Sequence, residues 1–169
     1  MSQSEFSVQA MLCDYAEVAQ QKLFVTGAGI NLAFTHTTEA PHPVSISLAM
    51  LISIPWDATN RQHKLQIELV CDSRETPASR VSINEILPPS ATEEDKGTII
   101  ALFNAGRSPN MQIGEETLMP VAIPFMGLPL PSIDSYYFII SIDGTEMNRV
   151  SFRVGAPMNQ QSQFGMQAF

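Results

Sequence analysis

The residues able to do chemistry are few and poorly matched to one another. Three histidines, His36, His42 and His63, never stand two or four positions apart. Those are the spacings that aim two imidazoles at one metal from the same side of a strand or helix. They read as loop histidines. Glu93-Glu94-Asp95 and Glu115-Glu116 are acidic runs, but general acid–base work needs two carboxylates converging on one point with their pKa values pushed apart. Adjacent residues point apart, so both runs read as solvated charge. No Gly-x-Ser-x-Gly frames a nucleophilic serine, and no Asp-x-Asp-x-Asp-Gly loop offers to bind calcium. Cys13 lies at the end of an apolar strand, where burial keeps a thiol protonated. Gly27-Ala28-Gly29 lacks the third glycine and the following helix of a phosphate loop, so it reads as a turn or bulge. No catalytic residue, cofactor or metal site is expected.

One cluster has binding character. Pro55-Trp56-Asp57-Ala58-Thr59-Asn60-Arg61-Gln62-His63 carries the only tryptophan beside amide, guanidinium and imidazole donors. Trp56, Asn60, Arg61 and His63 are therefore candidate contacts for a carbohydrate or small ligand, because loops on a rigid scaffold are where such domains bind. The plainer reading has Trp56 closing the end of the core while the polar residues make the turn.

These residues must be positioned by strands, since period-two alternation dominates the sequence. From Val44 to Ile54 the even positions are bulky and apolar, and the odd ones are mostly Ser and Ala. That is a long strand with one large-residue face and one small-residue face. Leu65, Ile67, Leu69 and Cys71 alternate with Lys64, Gln66, Glu68 and Val70, and Phe6 to Leu12 alternates likewise. Lys22 to Thr26, Arg80 to Ile86 and Thr98 to Phe103 are weaker strands. Two short helical turns are expected, at Asp14 to Gln21 and at Ser90 to Lys96, each opened by a capping residue with Glu three positions on. Pro120 and Pro124 share one side of the segment Met119 to Phe125, which predicts an edge strand paired on one side only. Met126 to Pro131 reads as an extended connector.

The closing pair, Tyr136 to Ile142 and Met147 to Val154, forms a hairpin across Asp143-Gly144. A two-residue turn is what that dipeptide invites. An odd loop bulged at Gly144 instead gathers Tyr136, Phe138, Ile140, Ile142, Val150, Phe152 and Val154 on one face. Burial favours the second register. The architecture that follows is an antiparallel β-sandwich of seven to nine strands, Ig-like or Greek-key in type, over residues 1–155. The stretch 156–169 is an uncharged, Gln- and Met-rich tail.

Composition bounds the partners. Of 169 residues 44% are hydrophobic and only 15% charged, which excludes a disordered chain and leaves surface for partners to cover. A net charge of -8 repels phosphate backbones and anionic lipid, so neither nucleic acid nor membrane is an expected partner. No basic leader or long apolar run opens the sequence, so cytosolic synthesis is expected. Cys13 and Cys71 suit a reducing compartment as free buried thiols, with an inter-sheet disulfide as the alternative.

The order of several short motifs resembles a known family. Leu12-Cys13-Asp14-Tyr15-Ala16 leads to Lys22-Leu23 and Gly27. Ile54-Pro55-Trp56 is followed by Asn60-Arg61 and His63-x-Leu65, and Tyr136-x-Phe138 by Ile142-Asp143-Gly144 and Phe152. The set is similar to the DUF6941 family of small bacterial proteins of unknown function. The resemblance implies a β-sandwich and supplies no activity, cofactor or site residue.

The function expected from all this is non-enzymatic. The protein reads as a structural or accessory subunit of a larger assembly, such as a virion or other particle, contacting protein partners or further copies of itself. Phe164, Met166 and Phe169 of the tail are candidate partner contacts. The alternative is a ligand-binding module that uses the Trp56–His63 loop.

Overall fold

The computed structural model describes residues 5–73 and 98–156. The strand expected at Arg80 to Ile86, the helical turn expected at Ser90 to Lys96, and Phe164, Met166 and Phe169 lie outside them.

Nine strands form two packed sheets among the described residues. They are β1 (Ser7–Ala19), β2 (Lys22–Ala28), β3 (Leu32–Phe34), β4 (His42–Pro55), β5 (Gln62–Cys71), β6 (Thr98–Asn104), β7 (Glu116–Leu130), β8 (Ser135–Ile142) and β9 (Thr145–Gly155). One sheet has the order β2-β1-β4-β7 and the other β3-β9-β8-β5-β6. All pairings are antiparallel except β3 with β9, so the second sheet is mixed rather than purely antiparallel. The helical content among the described residues is a single 3-10 turn, Trp56–Ala58.

The alternation read from sequence decides which side chains meet between the sheets. Leu48, Met50, Ile52 and Ile54 of β4 are fully buried, as are Ile67 and Leu69 of β5 and Phe138 and Ile140 of β8. Four rings stack through this core and join the sheets: Tyr136 on Phe152 at 5.7 Å, Phe152 on Phe138 at 5.8 Å, and Phe138 on Phe125 of β7 at 5.1 Å. The small-residue face of β4 has its own use. Ala49 is completely buried there with Cys13 and Ala16, and Leu23, Val25 and Ala122 pack against them. Small side chains let the β1–β2 hairpin lie close against the outer face of its own sheet.

Three expectations are corrected. Asp14 to Gln21 is not helical: β1 runs on to Ala19 and turns back through Gln20 and Gln21, both with positive φ (49° and 60°). The ladder to β2 and the packing of Ala16 and Val25 outweigh the capping pattern at Asp14 and Glu17. Gly27 takes a left-handed φ of 65° beside the Asp14 carboxylate, a conformation that a residue with a Cβ would strain. Met126 to Pro131 is not a connector either, because β7 continues to Leu130 and pairs with Val44, Pro43 and His42. Met126 and Gly127 together oppose Ser45 as a bulge, so that Leu128 and Leu130 return to the core face alongside Phe125. β7 pairs with β4 alone among the described residues, as its prolines predict.

The third correction concerns the closing hairpin. Phe138 and Phe152 do share the core face, but not through an odd loop. Ile142 pairs with Thr145 across Asp143-Gly144, both at positive φ (50° and 83°), the two-residue turn that the dipeptide invites. The register then slips at Met147, which has no partner between the pairs Ser141–Glu146 and Ile140–Asn148. The turn keeps its preferred geometry, and a bulge three residues later delivers the burial.

Tyr136, at the start of β8, fixes the crossover from β7. Its hydroxyl donates to the Ser132 carbonyl at 2.7 Å and accepts from the Ser132 N–H at 3.2 Å. A tyrosine bonded back to backbone a few residues upstream is a recurrent corner of Greek-key sandwiches.

Candidate functional site

The nominated loop and the β8–β9 turn meet at one pole of the sandwich. His63 is brought there by β5, whose alternation turns it inward, and it is buried rather than a loop residue. His42, at the start of β4, is also buried, and its Nδ1 lies 3.3 Å from the Thr37 carbonyl oxygen. The His63 ring is wedged among Phe6 (4.8 Å between centroids, edge-on) and Phe103 (5.5 Å). Its Nε2 lies 2.8 Å from the Ala58 carbonyl and its Nδ1 2.7 Å from Asp143 Oδ2. A carbonyl only accepts, so Nε2 carries hydrogen; the second bond to an ionised Asp143 forms only when Nδ1 carries hydrogen too.

Asp143 is a joint between elements. Oδ1 accepts from the Lys64 N–H at 2.8 Å, while its own N–H donates to the Lys64 carbonyl at 2.9 Å. Partial burial raises its pKa, but the hydrogen bonds from His63 and the Lys64 amide, with the charges of His63 and Arg61, outweigh it and hold the carboxyl below its usual range.

Trp56 is held by a residue that sequence reasoning missed. The Arg107 guanidinium lies 3.6 Å from the centroid of the indole ring. The same group donates to the Trp56 carbonyl and to Thr59 Oγ1, each at 2.8 Å. Asn60, at φ 60°, accepts from the Arg107 N–H through Oδ1 at 3.0 Å and donates its own N–H to the Ala105 carbonyl at 2.8 Å. Of the four loop candidates, His63 thus spends both ring nitrogens and Asn60 its side-chain oxygen inside the chain. Trp56 is half-buried with one ring face under Arg107, and Arg61 is exposed.

Arg61 lines an open cleft of about 660 Å³ at this pole. Phe6, Pro55, Ala58, Ile142 and Met147 give it an apolar floor, and Glu5, Asp57, Asp143 and Glu146 an acidic rim. Glu146 is itself paired with Arg149 through two contacts of 3.1 Å. Arg107, Asp143 and Phe6 could not be found from spacing: Asp143 is 80 positions from His63 and Arg107 51 from Trp56.

Cys13 and Cys71 are both free and buried, so the disulfide alternative fails. Burial, then the neighbouring Asp14 charge, pushes the Cys13 thiol up, and Cys13 Sγ donates to the Ser47 carbonyl at 3.5 Å.

A family of unknown function, DUF6941, matches residues 8–155. The chain belongs to the DUF6941 family. That span includes every strand of both sheets except the first residue of β1, and both halves of the His63 pole apart from Glu5 and Phe6. No curated protein matches the chain.

Proposed function

We propose that this protein works by surface contact, as a non-enzymatic structural or accessory subunit of a larger assembly. The observation that carries the reading is the distribution of large apolar side chains left in solvent. Met11, Tyr15, Val18, Phe24, Leu118 and Met126 of the four-stranded sheet are 39 to 78% exposed, and Phe34, Ile100 and Leu102 of the other sheet 37 to 64%. Large apolar patches that a monomer leaves open mark contact surfaces. The partners are proteins or further copies of the chain, and a cytosolically assembled particle is one concrete form of the assembly. The test is to recover the protein gently from its own cells and weigh the species by light scattering. A mass well above the monomer supports the reading, and recovery solely as monomer overturns it.

A second reading rests on the cleft. Its apolar floor and acidic rim suit a small cationic ligand with an apolar body, bound beside the Trp56–His63 loop. Trp56 is the only tryptophan, so its emission reports directly on that loop. Titration with amines and with neutral sugars separates a cationic-ligand site from a carbohydrate site, and no response to either removes this reading.

A further inference from the structure

His63 asks more of its ring than a neutral imidazole can give. β5 turns it inward, and its side chain is only 7% exposed. Both nitrogens meet acceptors, Nε2 the Ala58 carbonyl at 2.8 Å and Nδ1 the Asp143 carboxylate at 2.7 Å. A neutral ring has one N–H and one bare nitrogen, so it serves only one of the two. Together the contacts belong to the imidazolium.

Among the described residues, Asp143 is the one carboxylate within hydrogen-bond reach of the ring. Phe6, just before β1, and Phe103 of β6 pack against it without charge. Lys64, next along β5, meets Asp143 through its main chain. Arg61, in the loop, acts on the Asp143 carboxyl by its charge. Arg107, after β6, spends its guanidinium on the Trp56 carbonyl and Thr59. Glu5, Asp57 and Glu146 stand round the cleft beside Asp143, and Glu146 is paired with Arg149.

The two contacts are not equally easy to give up. The bond to the Ala58 carbonyl is buried, and an acceptor stranded there is costly. The Asp143 side chain is 48% exposed and can turn to water.

We infer that His63 is a proton-operated latch between the β4–β5 loop and the β8–β9 turn. While both ring nitrogens carry hydrogen, it ties Ala58 to Asp143. When Nδ1 gives up its proton, a bare nitrogen faces a carboxylate. Nε2 then keeps the Ala58 carbonyl, and Asp143 swings away from the ring toward the cleft whose rim it lines. Asp143 stays ionised throughout. Partial burial raises its carboxyl, the bonds from His63 and Lys64 bring it below the usual range, and that range itself ends well below neutrality. The latch therefore holds on the acid side of the histidine range and opens as pH rises through it. It goes beyond both functional readings and depends on neither.

The experiment is NMR of the isotope-labelled full chain from about pH 5 to about pH 9, which spans the titration of imidazole. The expected result is a His63 ring protonated on both nitrogens at the acid end and bare at Nδ1 at the alkaline end. The Lys64 amide, which donates to Asp143 Oδ1, should shift with the same midpoint. That shift should vanish in His63→Gln. A ring that keeps one charge state across the whole range overturns the inference, as does loss of the Nε2 proton in place of the Nδ1 proton. So does a Lys64 amide that stays fixed while the ring titrates, because Asp143 would then not respond. These three outcomes are read on the wild-type chain, so the inference is decided even where the variant fails to fold. In a folded His63→Gln, an unchanged Lys64 shift would assign the response to another group and overturn it too.

Discussion

At the residue scale, the clearest cases are side chains in unusual backbone conformations or with fully used polar atoms. Gln20 and Gln21 occupy left-handed positions that Asn and Gly fill more easily, and a non-glycine residue there costs roughly 1–2 kcal/mol. Gln20→Asn with Gln21→Gly is expected to raise stability by about 1 kcal/mol, seen as a later midpoint in urea. Tyr136 is the opposite case. Tyr136→Phe keeps the ring stack but strands the Ser132 amide and carbonyl, so a loss of about 1–3 kcal/mol is expected. At the pole, Asp143 sits below the ordinary carboxylate range in the folded chain. Its contribution is therefore present above the unfolded value of roughly 3.9 and is lost as pH falls through the folded one. Thermal melts from pH 6 down to pH 2 should show Asp143→Asn less stable than wild type at pH 6 and the gap closing in acid. A gap that stays constant with pH would show that the carboxylate's charge is irrelevant.

At the element scale, strands were legible and their irregularities were not. Period-two alternation located β4, β5, β8 and β9 because each gathers its bulky residues on the core face, and the prolines of β7 marked an edge. A bulge leaves no trace in that pattern, since the extra residue only resets the phase. Phe125 and Leu128 both face the core, which alternation alone forbids, and only Gly127 hinted at the break. Gln20-Gln21 carries no turn signal, so the Asp14–Glu17 spacing looked helical. The site was half legible for a related reason: the loop was visible, but its clamps Arg107 and Asp143 come from elements distant in sequence. The Met147 bulge gives the sharpest element-level test. Deleting Met147 alone would only close the bulge, but deleting Met147 with Asn148 sets Phe152 opposite Tyr137 and turns Phe152 and Val154 toward solvent, for a loss of about 3–6 kcal/mol from two large side chains. Met147→Ser keeps the bulge and should cost far less. Similar losses for the two variants would locate the effect in the side chain rather than the register.

At the scale of the whole molecule, Cys13 and Cys71 report on separate packing layers. Cys71 belongs to the core between the sheets, and Cys13 to the small cluster under the β1–β2 hairpin. If the sandwich opens as one unit, both thiols should label with a maleimide at a single rate, equal to the unfolding rate. Faster labelling of Cys13 would show the hairpin lifting from its sheet independently.

The poles also set how the molecule carries tension. Ser7 lies beside Ser53 at the end of β4 that meets the His63 loop, whereas Gly155 lies beside Phe34 at the far end of the other sheet. A pull applied between these two points runs along the strands. β1 is laddered to β4 over Ser7–Cys13 and to β2 from Cys13 on, and β9 to β8 over most of its length with β3 beside its last three residues. Such a load strains the rungs of each ladder together instead of peeling them one by one. Stretched between beads, the folded unit should therefore yield in one abrupt high-force rip, like a bolt drawn from its housing.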